Sequence, residues 1–199
     1  MKMLLALDKN KEKIYASPKK IGYCEICGEK LIPRCGDIKI WHWSHKGNND
    51  CDKWAEPESE WHKEWKSYFP KENREVVIKN HRADIKTDYG LVIELQNSSI
   101  SEFDIFRREK FYGNMIWILN GKTLAKGLEL RFNKEYVTFR WKNPPKAWWE
   151  SKRKKYIDIG EINGVGYLFL IKKIYTALPC GGWGVLIKKE DFIHDYRGY

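Results

Sequence analysis

Two acidic residues flank a tight turn in a stretch that alternates like a β-hairpin. Strands expected over 81–86 and 91–96 are separated by Asp88-Tyr89-Gly90, and a turn centred on Tyr89 sets residues equidistant from it face to face. Asp84 and Glu94 form such a pair. Directly opposed residues of an antiparallel pair have Cβ atoms roughly 4.5–5.5 Å apart, and like charges there repel. A hard divalent cation such as Mg2+ or Mn2+ removes that repulsion and favours oxygen ligands. Leu91, Val92, Ile93 and Leu95 are apolar, so Glu94 stands in an otherwise buried run, where an unpaired carboxylate is costly. Gln96, two residues on, shares its sheet face. Upstream, Glu58, His62 and Lys66 recur every fourth residue on a helix expected over 57–69 and share one side of it. The chemistry these types support is attack on a phosphodiester by metal-activated water. Asp84 and Glu94 hold the ion, Glu58 assists, and Gln96 and His62 orient water or relay protons. The plainer reading of Glu58, Glu60 and His62 is a solvated helix side.

A second constellation precedes this one. Cys24-Glu25-Ile26-Cys27-Gly28 has the form of a zinc knuckle, in which two thiolates bracket a turn so that both sulfurs reach one tetrahedral ion. His42, His45 and Cys51 lie a short loop away and Cys35 is a weaker candidate; zinc takes four ligands, so Cys24, Cys27, His42, His45 and Cys51 include a bystander. Closed Cys/His chemistry points to a folding role.

The elements that position these residues follow from punctuation and periodicity. Residues 1–20 read as an entry strand and a charged turn, and 21–53 hold the cysteine and histidine cluster. Pro57 opens the first helix and Pro70 closes it. Strands are expected over 75–79, 81–86 and 91–96, then a helix over 101–112 with capping hydroxyls offered by Ser99-Ile100-Ser101-Glu102 and Gly113 as stop, then a strand over 115–119. The order α-β-β-β-α-β implies a mixed sheet with helices on it. Beyond 121 the chain reads as β-rich, with strands over 136–141, 165–172 and 184–188, a loop at Cys180-Gly181-Gly182, and a basic run from Lys152 to Lys155. The division expected is 1–53 for the zinc element, 54–121 for the core and 122–199 for a C-terminal extension.

Composition sets the class of partner. A net charge of +10 attracts polyanions, and ten tryptophans and eleven tyrosines offer stacking surfaces for unpaired bases. Arg107 and Arg108, with Lys66, are candidates for phosphate contacts, and Trp148-Trp149 beside the basic run are equally a base-stacking surface or core tryptophans next to an exposed charged turn. Ser98 and Ser101 serve either as phosphate contacts or as helix caps. No stretch is long and apolar enough for a membrane span, and an odd count of five cysteines with a CxxC suits a reducing, cytoplasmic compartment.

Taken together, Cys24-x-x-Cys27, His42-Trp43-Ser44-His45, Pro57-Glu58-Ser59-Glu60-Trp61-His62, His81-Arg82-Ala83-Asp84-Ile85, Ile93-Glu94-Leu95-Gln96-Asn97-Ser98 and Trp117-Ile118-Leu119-Asn120 resemble the competence protein CoiA-like family, whose nuclease core belongs to the PD-(D/E)XK superfamily. The resemblance spans roughly 22–120. It implies an α/β (α+β) fold with a restriction-endonuclease-like mixed sheet flanked by helices, a zinc-ribbon-like N-terminal element and a β-rich C-terminal extension. It also implies a DNA nuclease with Asp84 and Glu94 as its acids. Gln96 departs from the pattern, standing where most of the superfamily has a lysine. The competing reading is a catalytically inactive module of the same fold that binds nucleic acid or protein, as a homodimer or with another partner, in phage or host-defence biology.

Overall fold

The computed structural model describes residues 2–47, 51–54, 57–177 and 180–197. The chain folds as two compact units, Met1–Lys86 and Thr87–Tyr199, a boundary inside the stretch 54–121 expected as one core.

The first unit begins with six short strands: β1 (Lys2–Met3), β2 (Leu5–Leu7), β3 (Lys13–Tyr15), β4 (Gly22–Tyr23), β5 (Lys30–Arg34) and β6 (His42–Ser44). They pair antiparallel in the order β1-β6-β5-β4-β2-β3. Such short strands bury little alone, and one large side chain gathers them. Trp43 is fully buried against Met3, Ala6, Ala16, Cys24 and Leu31, and its indole N–H donates to the Ile14 carbonyl at 3.1 Å. Cys35 packs on the same cluster as an apolar side chain.

Helix α1 (Glu60–Ser67) follows. Ser59 caps it, its side chain accepting from the His62 N–H, so helix geometry starts later than Pro57. The buried side presents His62, Trp65 and Lys66. A 3-10 turn over Lys71–Asn73 leads into the antiparallel hairpin of β7 (Arg74–Ile78) and β8 (His81–Lys86).

The second unit opens with a turn closed by a hydrogen bond from Thr87 N–H to the Leu91 carbonyl at 2.9 Å, the two residues being equidistant from Tyr89. Its elements are β9 (Val92–Gln96), α2 (Glu102–Tyr112), β10 (Met115–Asn120), α3 (Gly121–Leu124), β11 (Leu128–Phe132), β12 (Val137–Trp141), β13 (Lys155–Ile162), β14 (Val165–Tyr175), β15 (Gly181–Lys188) and α4 (Lys189–Arg197). The strands lie in the order β11-β12-β15-β14-β13-β10-β9. Strands β9, β10 and β13 run parallel, and the remaining pairs are antiparallel, so the sheet is mixed as expected. Parallel strands covered on both faces read as continuous apolar runs, and β10 is buried along its whole length.

Helix α2 has the expected ends: the Ser101 side chain accepts from the Asp104 N–H, and Gly113 stops the helix at φ 67°. Two expectations for the C-terminal stretch are corrected, and an open alternative at Trp148 is decided. Gly181 and Gly182 begin β15 instead of forming a loop, because a side chain at Gly182 would collide with the Lys173 carbonyl and the Phe139 ring. Lys155, at the end of the basic run, is buried as the first residue of β13 and donates to the Ser151 carbonyl at 2.9 Å. Trp148 is 3% exposed and meets Trp117 edge-on with ring centroids 5.1 Å apart, so it serves the core and offers no stacking surface.

Candidate functional site

In the first unit the knuckle forms as the spacing predicts. Cys24 N–H donates to the Glu29 carbonyl at 2.8 Å and Gly28 N–H to the Cys24 carbonyl at 2.9 Å, which folds the CxxC around its turn. The ligand atoms of Cys24, Cys27, His45 and Cys51 all lie within 4.8 Å of one another. Individual edges are 3.5 Å for the Cys24–Cys51 sulfurs, 3.2 Å from Cys27 Sγ to His45 Nε2 and 3.7 Å from Cys51 Sγ to His45 Nε2. A tetrahedral zinc with Zn–S near 2.3 Å has edges of about 3.7 Å, so the set fits the ion. Electrostatics agree. Burial and the neighbouring Cys24 push the Cys51 thiol up to about 12, and burial raises Cys27 as well. For Cys24, burial works upward too, but the Cys27 and Ile26 amides outweigh it and hold the thiol below its usual value. A bound dication reverses the cost of gathering thiolates.

His42 is the bystander among the five candidates. Its Nδ1 lies 2.7 Å from the Ile40 carbonyl, and the residue stands outside the ligand cluster.

The next residue after the last ligand ties this knot to β8. Asp52 is 2% exposed, and its carboxylate accepts from Arg82 N–H at 2.8 Å and Trp54 N–H at 2.9 Å and meets His81 Nδ1 at 2.9 Å. The Trp54 indole stacks on the His81 ring at 3.4 Å. Spacing gave no sign of this, because the contact is between residues far apart in the chain.

Lys66 gathers the acids of the first unit. Its ammonium lies 2.9 Å from Glu58, 3.1 Å from Glu75 and 3.1 Å from Asp84. The Lys66, Glu58 and Glu75 side chains are buried, whereas that of Asp84 is 22% exposed and forms the open side of the cluster. The sequence makes Lys66 a candidate phosphate contact on the helix surface. At 3% exposure with three carboxylates around it, it belongs inside the acid cluster instead. Burial alone would lower its pKa, but Glu58, Glu75 and Asp84 outweigh that and hold it well above the ordinary lysine value.

Glu58 has the opposite fate. Burial, with Glu75 and Asp84 nearby, raises its carboxyl to about 7 despite Lys66, and its Oε1 is buried without a hydrogen-bond partner among the described residues. A group titrating near neutrality can hold or release a proton under physiological conditions. His62 is 2% exposed, with Nδ1 2.8 Å from the Ser59 hydroxyl.

Glu75 was not anticipated. It is fully buried and receives the Leu4 and Leu5 amides at 3.0 Å each. Burial would raise its pKa, but Lys66, Arg82 and those two amides outweigh it and lower it. Its φ of 49° is left-handed, a conformation that costs a non-glycine residue roughly 1 kcal/mol or more. The only hint in sequence was an acid at the head of an otherwise apolar strand.

In the second unit, Glu94 is 3% exposed and Gln96 fully buried on β9. Arg108 is 8% exposed, and its Nη1 donates to Glu94 at 3.0 Å. This corrects two expectations. Arg108 is a buried partner of Glu94, not a surface phosphate contact, and Glu94 has a cation of its own in the fold. Arg107 does face outward, 3.9 Å from Asp104. Gln96 Nε2 donates to the Ser98 carbonyl at 3.0 Å. The loop after β9 is pinned further by Asn120 Nδ2 donating to Asn97 Oδ1 at 2.7 Å and Thr123 Oγ1 to the Asn97 carbonyl at 2.7 Å. Because β9 and β10 are parallel neighbours, these amides cluster at their C-terminal ends, the edge where open α/β sheets bind ligands.

Comparison with known proteins bears on the metal knot. Residues 7–53 match the family model of the competence protein CoiA N-terminal domain. All four ligands, Cys24, Cys27, His45 and Cys51, fall inside the CoiA-matching segment, and both the Lys66 cluster and Glu94 lie beyond it. No curated protein and no solved structure matches the chain.

Proposed function

We propose that this chain is a metal-dependent nuclease of the PD-(D/E)XK type, hydrolysing phosphodiester bonds in DNA, with zinc held structurally by Cys24, Cys27, His45 and Cys51. Asp84 and Glu94 supply the ligands for Mg2+ or Mn2+. The observation that carries the reading is the acid cluster at Lys66: three carboxylates brought to one buried ammonium, with the Asp84 carboxylate at its open side. Buried acid clusters with strongly shifted pKa values gather at functional sites.

When bound, the divalent ion supplies a water of lowered pKa and a Lewis acid for the phosphate. The residues of the chain do the remaining work. Glu58, raised to about 7, accepts the proton of the attacking water. Lys66 holds the Glu58, Glu75 and Asp84 carboxylates together, at 2.9, 3.1 and 3.1 Å from its ammonium. The test is incubation of plasmid and single-stranded DNA with Mg2+ or Mn2+. Cleavage is expected from the native chain and not from Asp84→Ala or Glu94→Ala.

One observation favours the inactive module. The Arg108 guanidinium satisfies Glu94 at 3.0 Å, so the fold neutralises that acid without a metal. That reading expects salt-sensitive binding of nucleic acid and no cleavage in either ion.

A further inference from the structure

Four strands at one side of the second unit's sheet, β11, β12, β15 and β14, line up their side chains in continuous rows. Arg131 pairs with Thr138, Thr138 with Trp183, and Trp183 with Lys173. The neighbouring row runs Glu129, Arg140, Gly181 and Tyr175. Residues directly opposed across strands share a face, as do residues two apart along a strand, so both rows look the same way. The intervening row, Leu130, Phe139, Gly182 and Ile174, looks the other way and places Phe139 in the core at 5% exposure.

The first face is open. Trp183 is 39% exposed, Tyr175 56% and Tyr136 46%, and Arg131, Arg140 and Lys173 are exposed with them. Tyr136, Thr138, Tyr175 and Trp183 line a shallow cleft of about 530 Å³ together with Glu135 and Gly182. No ring contact among the described residues occupies Trp183, Tyr136 or Tyr175. Gly181 leaves a gap in the second row between Arg140 and Tyr175. Aromatic surface left in water is a cost that packing does not explain, and Glu129 and Glu135 are outnumbered by the three cations.

From this array we infer that the β11-β12-β15-β14 face binds single-stranded nucleic acid, with unpaired bases stacked on Trp183 and its neighbouring tyrosines and the phosphates held by Arg131, Arg140 and Lys173. Stacking tolerates any base because each has a π-face, and cations at the platform's margin track the backbone. A duplex cannot present its bases to a flat sheet in this way, so charge complementarity and ring exposure together select unpaired strands. The inference rests on the nucleic-acid half of the proposed function and not on hydrolysis.

The test is fluorescence anisotropy of the full chain in EDTA with labelled oligothymidylate, oligouridylate and a blunt duplex. Single strands bind more tightly than the duplex. Trp183→Ala weakens them by about 5-fold or more, the loss of one stacked base, and Trp183→Phe keeps most of the affinity. Lys173→Glu, a surface change that leaves the core intact, lowers affinity and flattens its salt dependence by at least about 0.7 in log–log slope. The two single-stranded probes decide between DNA and RNA as the source of the bases. Circular dichroism of each variant matches the native chain. The inference is overturned if folded Trp183→Ala and Lys173→Glu bind single strands like the native chain, or if the duplex binds as tightly as the strands. It is overturned equally if Trp183→Ala only turns a dimer into a monomer in sedimentation and oligonucleotide affinity is unchanged. Without divalent ions no cleavage enters the readout, so a chain that binds here but never cleaves upholds this inference and sinks the catalytic one.

Discussion

Lys66 and Arg108 each place a cation on an acid that a solvent-facing reading would leave to water, and the consequences are measurable. Glu58 holds its proton up to about 7, above the ordinary 4.5, so the folded state binds that proton more tightly than the unfolded chain. Its contribution to stability is complete below about pH 4.5 and is lost as pH rises through 7. Glu75 runs the other way: its lowered pKa gives stability above its ordinary value that is lost as pH falls. Glu58→Gln, which mimics the protonated form, is therefore expected to flatten the decline in melting temperature between about pH 5 and 7.5 measured without divalent ions, and a native decline in the variant would refute the assignment. For Glu94, removing its partner leaves a buried charge uncompensated. Arg108→Ala should cost about 3–5 kcal/mol in urea unfolding, and a loss below about 1 kcal/mol would show that the pair is not formed. The Thr87–Leu91 turn was legible in sequence because a tight turn fixes its own register, and Glu94 as a buried acid because its strand is otherwise apolar. Lys66, Arg108 and Glu75 were not. Helix charges usually face water, and the Glu75 carboxylate finds its donors at Leu4 and Leu5, a long way back along the chain.

At the level of elements, local signals carried most where a cap or turn fixes geometry. Ser101 and Gly113 end α2 as their types require, and the capping hydroxyl makes a separate forecast. Ser101→Ala should destabilise the chain by about 1 kcal/mol with no change in nucleic-acid affinity, a split that thermal melting and anisotropy resolve and that a phosphate-contact role would reverse. Strands β11 and β13 and helix α4 were not anticipated. β13 starts with a lysine from a basic run and reaches its pairing through a parallel partnership with β10, which no short-range pattern announces. β15 opens on two glycines that read as a loop but are demanded by the close approach of β14 and Phe139. The zinc knot stood between these cases. The CxxC fixed two ligands, and only the fold chose His45 over His42, whose ring meets the Ile40 carbonyl. Cys27→Ser or strong chelation is expected to release one zinc per chain and to lose the near-ultraviolet signal of Trp43, because structural zinc binding is folding energy. Retention of that signal after complete zinc removal would make the cluster dispensable.

For the whole molecule, the proposed binding to nucleic acid by a chain of charge +10 is expected to weaken linearly in log–log terms with added salt, whichever chemistry follows. Among the described residues no helix is long and apolar enough to cross a membrane. The mixed α+β architecture was readable from the order of apolar runs, whereas the division after Lys86 was not, since it falls at the end of a strand and no linker composition marks it. The central claim is hydrolysis at Asp84 and Glu94, and the most direct measurement is cleavage of labelled DNA by native, Asp84→Ala and Glu94→Ala chains in Mn2+, each checked for folding. The account predicts cleavage by the native chain and a loss of at least about 100-fold in both variants. Equal cleavage by all three chains, or none by the native chain in either Mn2+ or Mg2+, would contradict it.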